Sequence, residues 1–336
     1  MVKGATQAGL GLFAALAAVF LIAGCGGDDG GDGGEEPARS ASQLIETAGL
    51  PRPSNRSLRA LLEHMRQGPA LAPTGKYHEP GRSRFGFGLF DRANRQIGDV
   101  KVALYVSMGL DETAHGPYPV RFERIELEQR YRSRQTVGDP DVATAYYVGE
   151  VPFRRPGGYT VAAIAELGNQ LVATSPVQVT VRDDLRVPGA GDRAIRVHTP
   201  TRESVGGDIE RIETRVPPDT MHEVDLAEAL DAGRPVLLLF ATPALCQTRV
   251  CGPVTDVAEQ VKAGYGDRVD FIHVEIYNEN DLDKGARSQV LAWQPGERVV
   301  SEPMAFAIDS EGVVVERLEG AFSVPELTAA VRKALR

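Results

Sequence analysis

The sequence predicts a multidomain chain in which an antiparallel β-sandwich is followed by an α/β domain. Between about residues 80 and 183, short apolar stretches repeat with a period of two and are separated by Asp, Gly and Pro clusters, the pattern of strands and turns. From residue 221 on, continuous apolar runs alternate with stretches of helical period. The 336 residues suffice for two or three domains, and 42% hydrophobic against 25% charged residues is globular usage that excludes a wholly disordered chain. A net charge of -9 leaves no global basic field, so no nucleic-acid partner is expected. Three cysteines are too few for a disulfide-dense scaffold or a four-cysteine zinc site.

Residues 1–24 carry one charge, Lys3, followed by an apolar run from about Leu10 to Ala23. A basic start, an apolar centre and small residues at the end are the layout of a secretory signal. The run is short for the ~20 residues of a membrane span, which weighs against an uncleaved helix. Leu21-Ile22-Ala23-Gly24-Cys25 resembles the lipobox of bacterial lipoproteins. That resemblance implies removal of residues 1–24, lipidation of Cys25, and anchoring in the lipid bilayer of the cell membrane on its extracytoplasmic face. Residues 25–80 then form a tether of Gly, Asp and Glu followed by one short helix over 54–67. Ser54 or Ser57 can cap that helix, and Leu58, Leu61, Leu62 and Met65 form its apolar stripe. No other stretch is long and apolar enough to span a bilayer, so the body is expected outside the cytoplasm, where disulfides persist.

Residues 81–183 form the sandwich, with strands expected at 84–90, 100–106, 120–127, 146–153, 159–165 and 172–181. Phe153-Arg154-Arg155-Pro156-Gly157-Gly158-Tyr159 resembles the late hairpin of immunoglobulin-like domains, a likeness of architecture and not of function. No catalytic constellation is visible there. Asp111, Glu112 and His115 are expected in a solvated loop rather than a metal site. Residues 184–220, rich in Pro and Gly, read as a linker with one strand at 194–198.

Residues 221–336 alternate between helix and strand. Val224–Leu230 reads as a helix, and Pro235–Phe240 as a buried strand. Pro253–Gly264 reads as a helix from Val254, Val257, Ala258 and Val261, and Val269–Ile276 as a second buried strand. Leu282–Trp293 is a weaker helix; Ala305–Asp309 and Val313–Leu318 form a hairpin around Gly312; Val324–Leu335 is a closing helix capped by Ser323. Cys246 and Cys251 lie between the first strand and the helix after it. This order resembles the thioredoxin fold, and Pro303 stands where thioredoxins keep a cis-proline facing their cysteines. Gly320 follows the second hairpin strand, as in that family. The resemblance implies a thiol–disulfide oxidoreductase in which Cys246 attacks and Cys251 resolves, acting on extracytoplasmic thiol or disulfide client proteins, with no cofactor.

The spacing departs from the family, which places two residues between its cysteines instead of four. Five residues along a regular helix rise about 7.5 Å and turn about 140°, whereas bridged Cα atoms lie within about 7 Å. Two arrangements are open: a helix starting near Pro253 with Cys246 in the loop before it, or a helix starting near Cys246 and kinked at Pro253. Arg249 and a helix N-terminus are expected to lower a thiol pKa, and Glu302 to raise it if it faces the pair. The strand before the cysteines lacks the buried acid of thioredoxins, leaving Glu275 as a candidate proton carrier. Three other readings stand beside the oxidoreductase. Thr242-Pro243-Ala244-Leu245-Cys246 is similar to a peroxiredoxin segment, which implies a thiol peroxidase. Two thiolates suit Cu(I), as in Sco-type assembly proteins, although no His lies just before the hairpin. A binding lipoprotein with a permanent Cys246–Cys251 staple is the third. His273 reads as a satisfied core histidine and His222 as exposed loop.

Overall fold

A computed structural model describes residues 43–246 and 248–336. The expected signal, Cys25 and the Gly/Asp tether lie outside the described residues. Among those described, no helix is long and apolar enough to cross a membrane.

Helix α1 (Leu58–Leu62) is shorter than the stripe over 54–67 suggests. Ser57 caps it, its Oγ accepting from Ala60 N at 3.2 Å. The chain then leaves the helix to make β1 (Arg66–Gln67), while Leu62 and Met65 still pack with Leu58 and Leu61 in one cluster. Strands β2 (Ala70–Pro73), β3 (Gly81–Phe90), β4 (Val102–Ser107), β5 (His115–Arg124), β6 (Ala145–Phe153), β7 (Gly157–Leu167), β8 (Gln170–Ala173) and β9 (Val177–Val181) follow. They run in the order β1-β8-β7-β4-β5-β6-β3-β2, with β9 pairing the other end of β7. Every pair is antiparallel except the two-residue β1–β8 contact.

The sheet folds over on itself through β5. His115–Pro119 pairs with β4 and Val120–Arg124 with β6. His115 thus begins a strand and not a loop. Phe85, Phe87 and Leu89 then face Val102, Leu104 and Val106 across one core. The expected hairpin at Phe153–Tyr159 is not formed, because β6 and β7 are not sheet neighbours. The short connection instead crosses the core, and Phe153 meets Tyr159 edge-on at 4.9 Å. Strand β4 is buried on both faces because α1 covers its outer side through Leu58 and Leu61.

The second half holds α3 (Leu226–Asp231), β10 (Val236–Ala241), α4 (Cys251–Ala263), β11 (Asp270–Glu275), α5 (Ser288–Trp293), β12 (Met304–Ile308), β13 (Val314–Glu319) and α6 (Val324–Ala334). Its sheet order is β11-β10-β12-β13, with β10 parallel to β11 and antiparallel to β12. This is the β-α-β-α-β-β-α topology expected of a thioredoxin-like domain. Leu237, Leu239 and Ala241 face α4 and α6, while Val236, Leu238 and Phe240 face Trp293 and α3. Burial on both faces is why the strand reads as an unbroken apolar run. The helix expected over 282–293 is split. One 3-10 turn spans Leu282–Lys284, Gly285 takes a φ of +67°, and α5 starts at Ser288.

Between the halves, α2 (Arg134–Gly138) projects from the β5–β6 connection. The segment expected to be a linker, 184–220, contains no strand but packs, burying Val187, Thr199, Glu213, Arg215 and Asp219. Leu185, Val187, Ile195 and Val197 pack its first part on the apolar core of the second half, and polar side chains hold its last part through hydrogen bonds. Arg215 donates to Asp256 Oδ1 at 2.8 Å and to Tyr131 O at 2.8 Å. Ser133 donates to Asp256 Oδ2 from its N at 2.9 Å and its Oγ at 3.1 Å. At the other end, Glu319 of β13 accepts from Lys76 N at 2.9 Å and Tyr77 N at 3.0 Å. Arg84 of β3 pairs with Glu326 of α6 at 2.9 Å, and Tyr146 donates to the same carboxylate. Ile125, Leu127, Tyr146 and Val148 share one core with α4 and α6.

Two substitutions test this packing. A Cβ on Gly320, at φ +72°, would lie 1.9 Å from Thr74 O, so Gly320→Ala is expected to cost at least about 2 kcal/mol in urea denaturation. Asp256→Ala leaves the buried Arg215 unpaired and is expected to cost about 3–5 kcal/mol by the same measurement.

Candidate functional site

Strand β10 delivers the chain to a tight turn at Thr242, where Leu245 N and Cys246 N both donate to Thr242 O, at 3.2 and 3.1 Å. Helix α4 begins at Cys251, after Val250. Of the two arrangements left open by the sequence, the structure takes the first, with the helix starting two residues before Pro253. Cys246 stands in the turn, half-buried, and Cys251 on the first helical residue, fully buried. Both thiols are free.

The two sulfurs sit in opposite environments. The Cys246 thiol is pulled down to about 6, first by the hydrogen bond that Cys251 donates to its sulfur, against burial that pushes it up. Thr248 Oγ1 adds a contact at 3.1 Å, and the N–H groups of Cys251 and Val250 at the helix start donate to it. The Cys251 thiol is pushed well up, by burial first, then by donating to Cys246, then by the negative charge of Cys246 and Glu302. Glu302 therefore does reach the pair electrostatically. Burial and the Cys246 charge raise its carboxyl to about 8, while Tyr277 donates to Oε1 at 3.2 Å and offsets part of the rise.

Pro303 follows a cis peptide bond from Glu302 and is buried, its carbonyl accepting from Gly320 N at 2.9 Å. The next residue, Met304, pairs in register with Phe240, which places this loop at the same end of the sheet as the cysteines. Glu275 closes β11 opposite Ala241 and accepts from Thr214 N and Oγ1, both at 2.7 Å. Burial raises its carboxyl to about 7. Arg249 turns to the sandwich half, at 3.8 Å from Asp139 and closer to Asp141, so those carboxylates compensate its charge.

Sequence reasoning missed the wall opposite Cys246. Arg134, Gln135, Gly138 and Asp139 from the sandwich half face Cys246 and Pro253 across a groove of about 260 Å³. A Cβ on Gly252 would meet Gln135 Cβ at 3.3 Å, so α2 lies directly on the start of α4. Asp256 was invisible as a site residue because it falls on the polar side of the helical pattern. His222 was read as exposed loop but is buried against Glu213 at 3.1 Å. His273 is a buried, bonded histidine, with Asp219 at 2.8 Å and Ala241 O at 3.2 Å. The ligand-type groups that converge among the described residues are Glu213, Asp219, His222 and His273, and neither cysteine belongs to that group.

No protein-family model matches this chain, and no curated protein matches it. Among solved structures, a protein assigned as thiol:disulfide interchange protein DsbE from Chlorobium tepidum is 19% identical, covering 44% of this chain and 99% of its own, with a TM-score of 0.29. A thioredoxin-family thiol:disulfide interchange protein from Chlorobium tepidum TLS is 18% identical over 43% of this chain and 100% of its own, with a TM-score of 0.27. The ZirS C-terminal domain is 10% identical over 46% of this chain and 88% of its own, with a TM-score of 0.17. At these scores the likenesses carry no weight, and the fold rests on the strand order and register above.

Two pH profiles follow. Alkylation of Cys246 is expected to rise with a midpoint near pH 6, and Cys251→Ala is expected to move that midpoint up toward the ~8.5 of a free cysteine. Glu302 ionises at about 8 when folded against an ordinary 4.5, so raising the pH between those values favours the unfolded chain. Glu302→Gln is therefore expected to gain stability relative to the parent as pH rises through that window, measured by urea midpoints at pH 5 and pH 8.

Proposed function

We propose that the chain is an extracytoplasmic thiol–disulfide oxidoreductase of thioredoxin-like fold, anchored to the membrane through a lipidated Cys25. The observation that carries this reading is the asymmetry of the pair: a half-buried Cys246 held as thiolate at neutral pH, and a fully buried Cys251 held as thiol beside it. A permanent staple needs no such difference.

In the reducing direction, the Cys246 thiolate attacks one sulfur of a client disulfide. A mixed disulfide forms and the client's second sulfur leaves as thiolate. Cys251 then loses its proton and attacks Cys246 Sγ, releasing the client's remaining thiolate and leaving Cys246–Cys251 oxidised. Two electrons pass from the pair to the client, and the reverse sequence oxidises a client dithiol. Glu302 and Glu275, whose carboxyls titrate near neutrality, suit the proton exchange that Cys251 requires. We read the sandwich half as an immunoglobulin-like module whose α2 forms one wall of the client groove.

Reduction of a disulfide-bonded model substrate, with a small dithiol regenerating the Cys246/Cys251 pair, tests the reading. Cys246→Ser is expected to abolish exchange, while Cys251→Ser is expected to accumulate a mixed disulfide with the substrate, seen as a mass adduct. A reduction potential far below about −300 mV in a glutathione series would instead identify an inert staple.

A further inference from the structure

A second cluster of reactive side chains lies away from the cysteine pair. Glu213, Asp219 and His222 come from the irregular segment before α3, and His273 from the middle of β11. Main-chain pairing of His273 N with Met221 O, at 2.9 Å, holds the two segments together. All four side chains are at most 1% exposed.

The donor atoms are spaced like a coordination shell. His273 Nδ1 lies 2.8 Å from Asp219 Oδ2 and 3.7 Å from Glu213 Oε2. His222 Nε2 lies 3.1 Å from Glu213 Oε2 and 3.5 Å from Asp219 Oδ1. Four N and O donors bound tetrahedrally at about 2.0–2.1 Å stand about 3.3–3.4 Å from one another; His273 and His222 approach different oxygens of Asp219, one of which would be the ligand, and the distances fall on either side of that spacing. The four ligand atoms all lie within 4.8 Å of one another.

Hydrogen bonding outside the cluster points the same way. His273 Nε2 faces the carbonyl oxygen of Ala241 at 3.2 Å, which only an N–H can satisfy. Nδ1 lies 2.8 Å from a carboxylate oxygen, so a positive charge is needed there, supplied either by a second ring proton or by a bound cation. A histidine that donates one N–H to a backbone carbonyl and aims its other nitrogen inward is the usual outer-shell arrangement of a metal ligand. The carboxylates are held from behind: Glu213 accepts from Arg215 N at 2.7 Å and Asp219 N at 3.1 Å, and Asp219 accepts from Met221 N at 2.8 Å. His222 has no partner on Nδ1, so the cluster carboxylates are what fix its ring. Two carboxylates and two neutral imidazoles carry a charge that a single divalent cation cancels.

We propose that Glu213, Asp219, His222 and His273 form a structural zinc site. Two imidazoles and two carboxylates in tetrahedral spacing suit Zn²⁺, and the closed shell leaves no position for catalysis. The metal pins residues 213–222 to β11. Thr214, on that segment, donates from its N to Glu275 and accepts on its Oγ1 from Ala244 N in the cysteine turn at 3.1 Å, and Arg215 donates to Asp256. The zinc thus lies behind the groups that set the cysteine turn and α4.

The test uses the full chain with Cys246→Ser and Cys251→Ser, so that thiols cannot bind the metal. Because the site is buried, zinc must load during folding. The protein is purified after expression with added zinc, and a portion is refolded from denaturant with either zinc sulfate or a chelator, desalted, and its metal counted. The expected result is one zinc per chain as purified and after refolding with zinc, with a higher thermal midpoint than the chelator arm. Adding His222→Gln is expected to lower zinc affinity at least about tenfold, since outer-shell changes alone often cost that much. A chain that refolds only with zinc also supports the site. A folded, as-purified protein with sub-stoichiometric zinc and equal thermal midpoints in both arms overturns it and identifies an imidazolium–carboxylate network instead. If neither arm refolds, the as-purified count alone decides.

Discussion

The Asp256 carboxylate is the constraint on which the rest of the site depends. It is fully buried in the second turn of α4, and its partners come from elsewhere in the chain. These are two separate parts of the chain outside α4: Ser133 donates to it twice from the sandwich half, and Arg215 donates from the irregular segment. A buried charge of this kind is tolerated only when its hydrogen bonds are complete, so α2, the 213–222 segment and the start of α4 must assemble together. That assembly puts Cys251 on the first turn of the helix and one wall of the groove opposite Cys246.

The cysteine environments follow from this placement. Because α4 starts at Cys251, its first free N–H groups point at Cys246, and the Cys251 thiol donates to the same sulfur. The helix buries Cys251 with no competing acceptor of comparable strength, so its proton stays. The four-residue spacing is accommodated because Cys246 sits in a turn, where backbone direction is not bound to the helical rotation, and Arg249 takes a φ of +57° to complete that turn. Glu302 and Glu275 add two buried carboxyls whose own burial keeps them near neutrality.

The two halves do not behave as beads on a string. Tyr146 and Val148 of β6 share a core with α4 and α6, and Arg84, Glu319 and Glu326 close the junction with buried polar contacts. The approach of Thr74 O to Gly320 leaves room for hydrogen only. The groove beside Cys246 is therefore lined by residues of both halves.

Apolar periodicity was enough to read β10, β11, α4, the hairpin and α6, because each buries side chains in a pattern that local sequence states directly. It also located Cys246, Cys251 and Pro303 relative to those elements. Periodicity misjudged α1, the split at Gly285 and the Phe153–Tyr159 connection, where turn geometry and cross-layer contacts outweigh local pattern. It read residues 184–220 as a linker with a strand at 194–198, where the structure packs the chain without a strand. Residues 213–222 are held largely by polar side chains, and a polar residue in sequence looks the same whether water or a buried partner satisfies it. Glu213, Arg215, Asp219, His222 and Asp256 were thus legible only once tertiary structure brought their partners together. The sequence by itself determined the order of elements and the identity of the thiol pair. Tertiary structure decided which thiol is exposed, which is ionised and what wall it faces, because burial and hydrogen bonding are properties of neighbours distant in the chain.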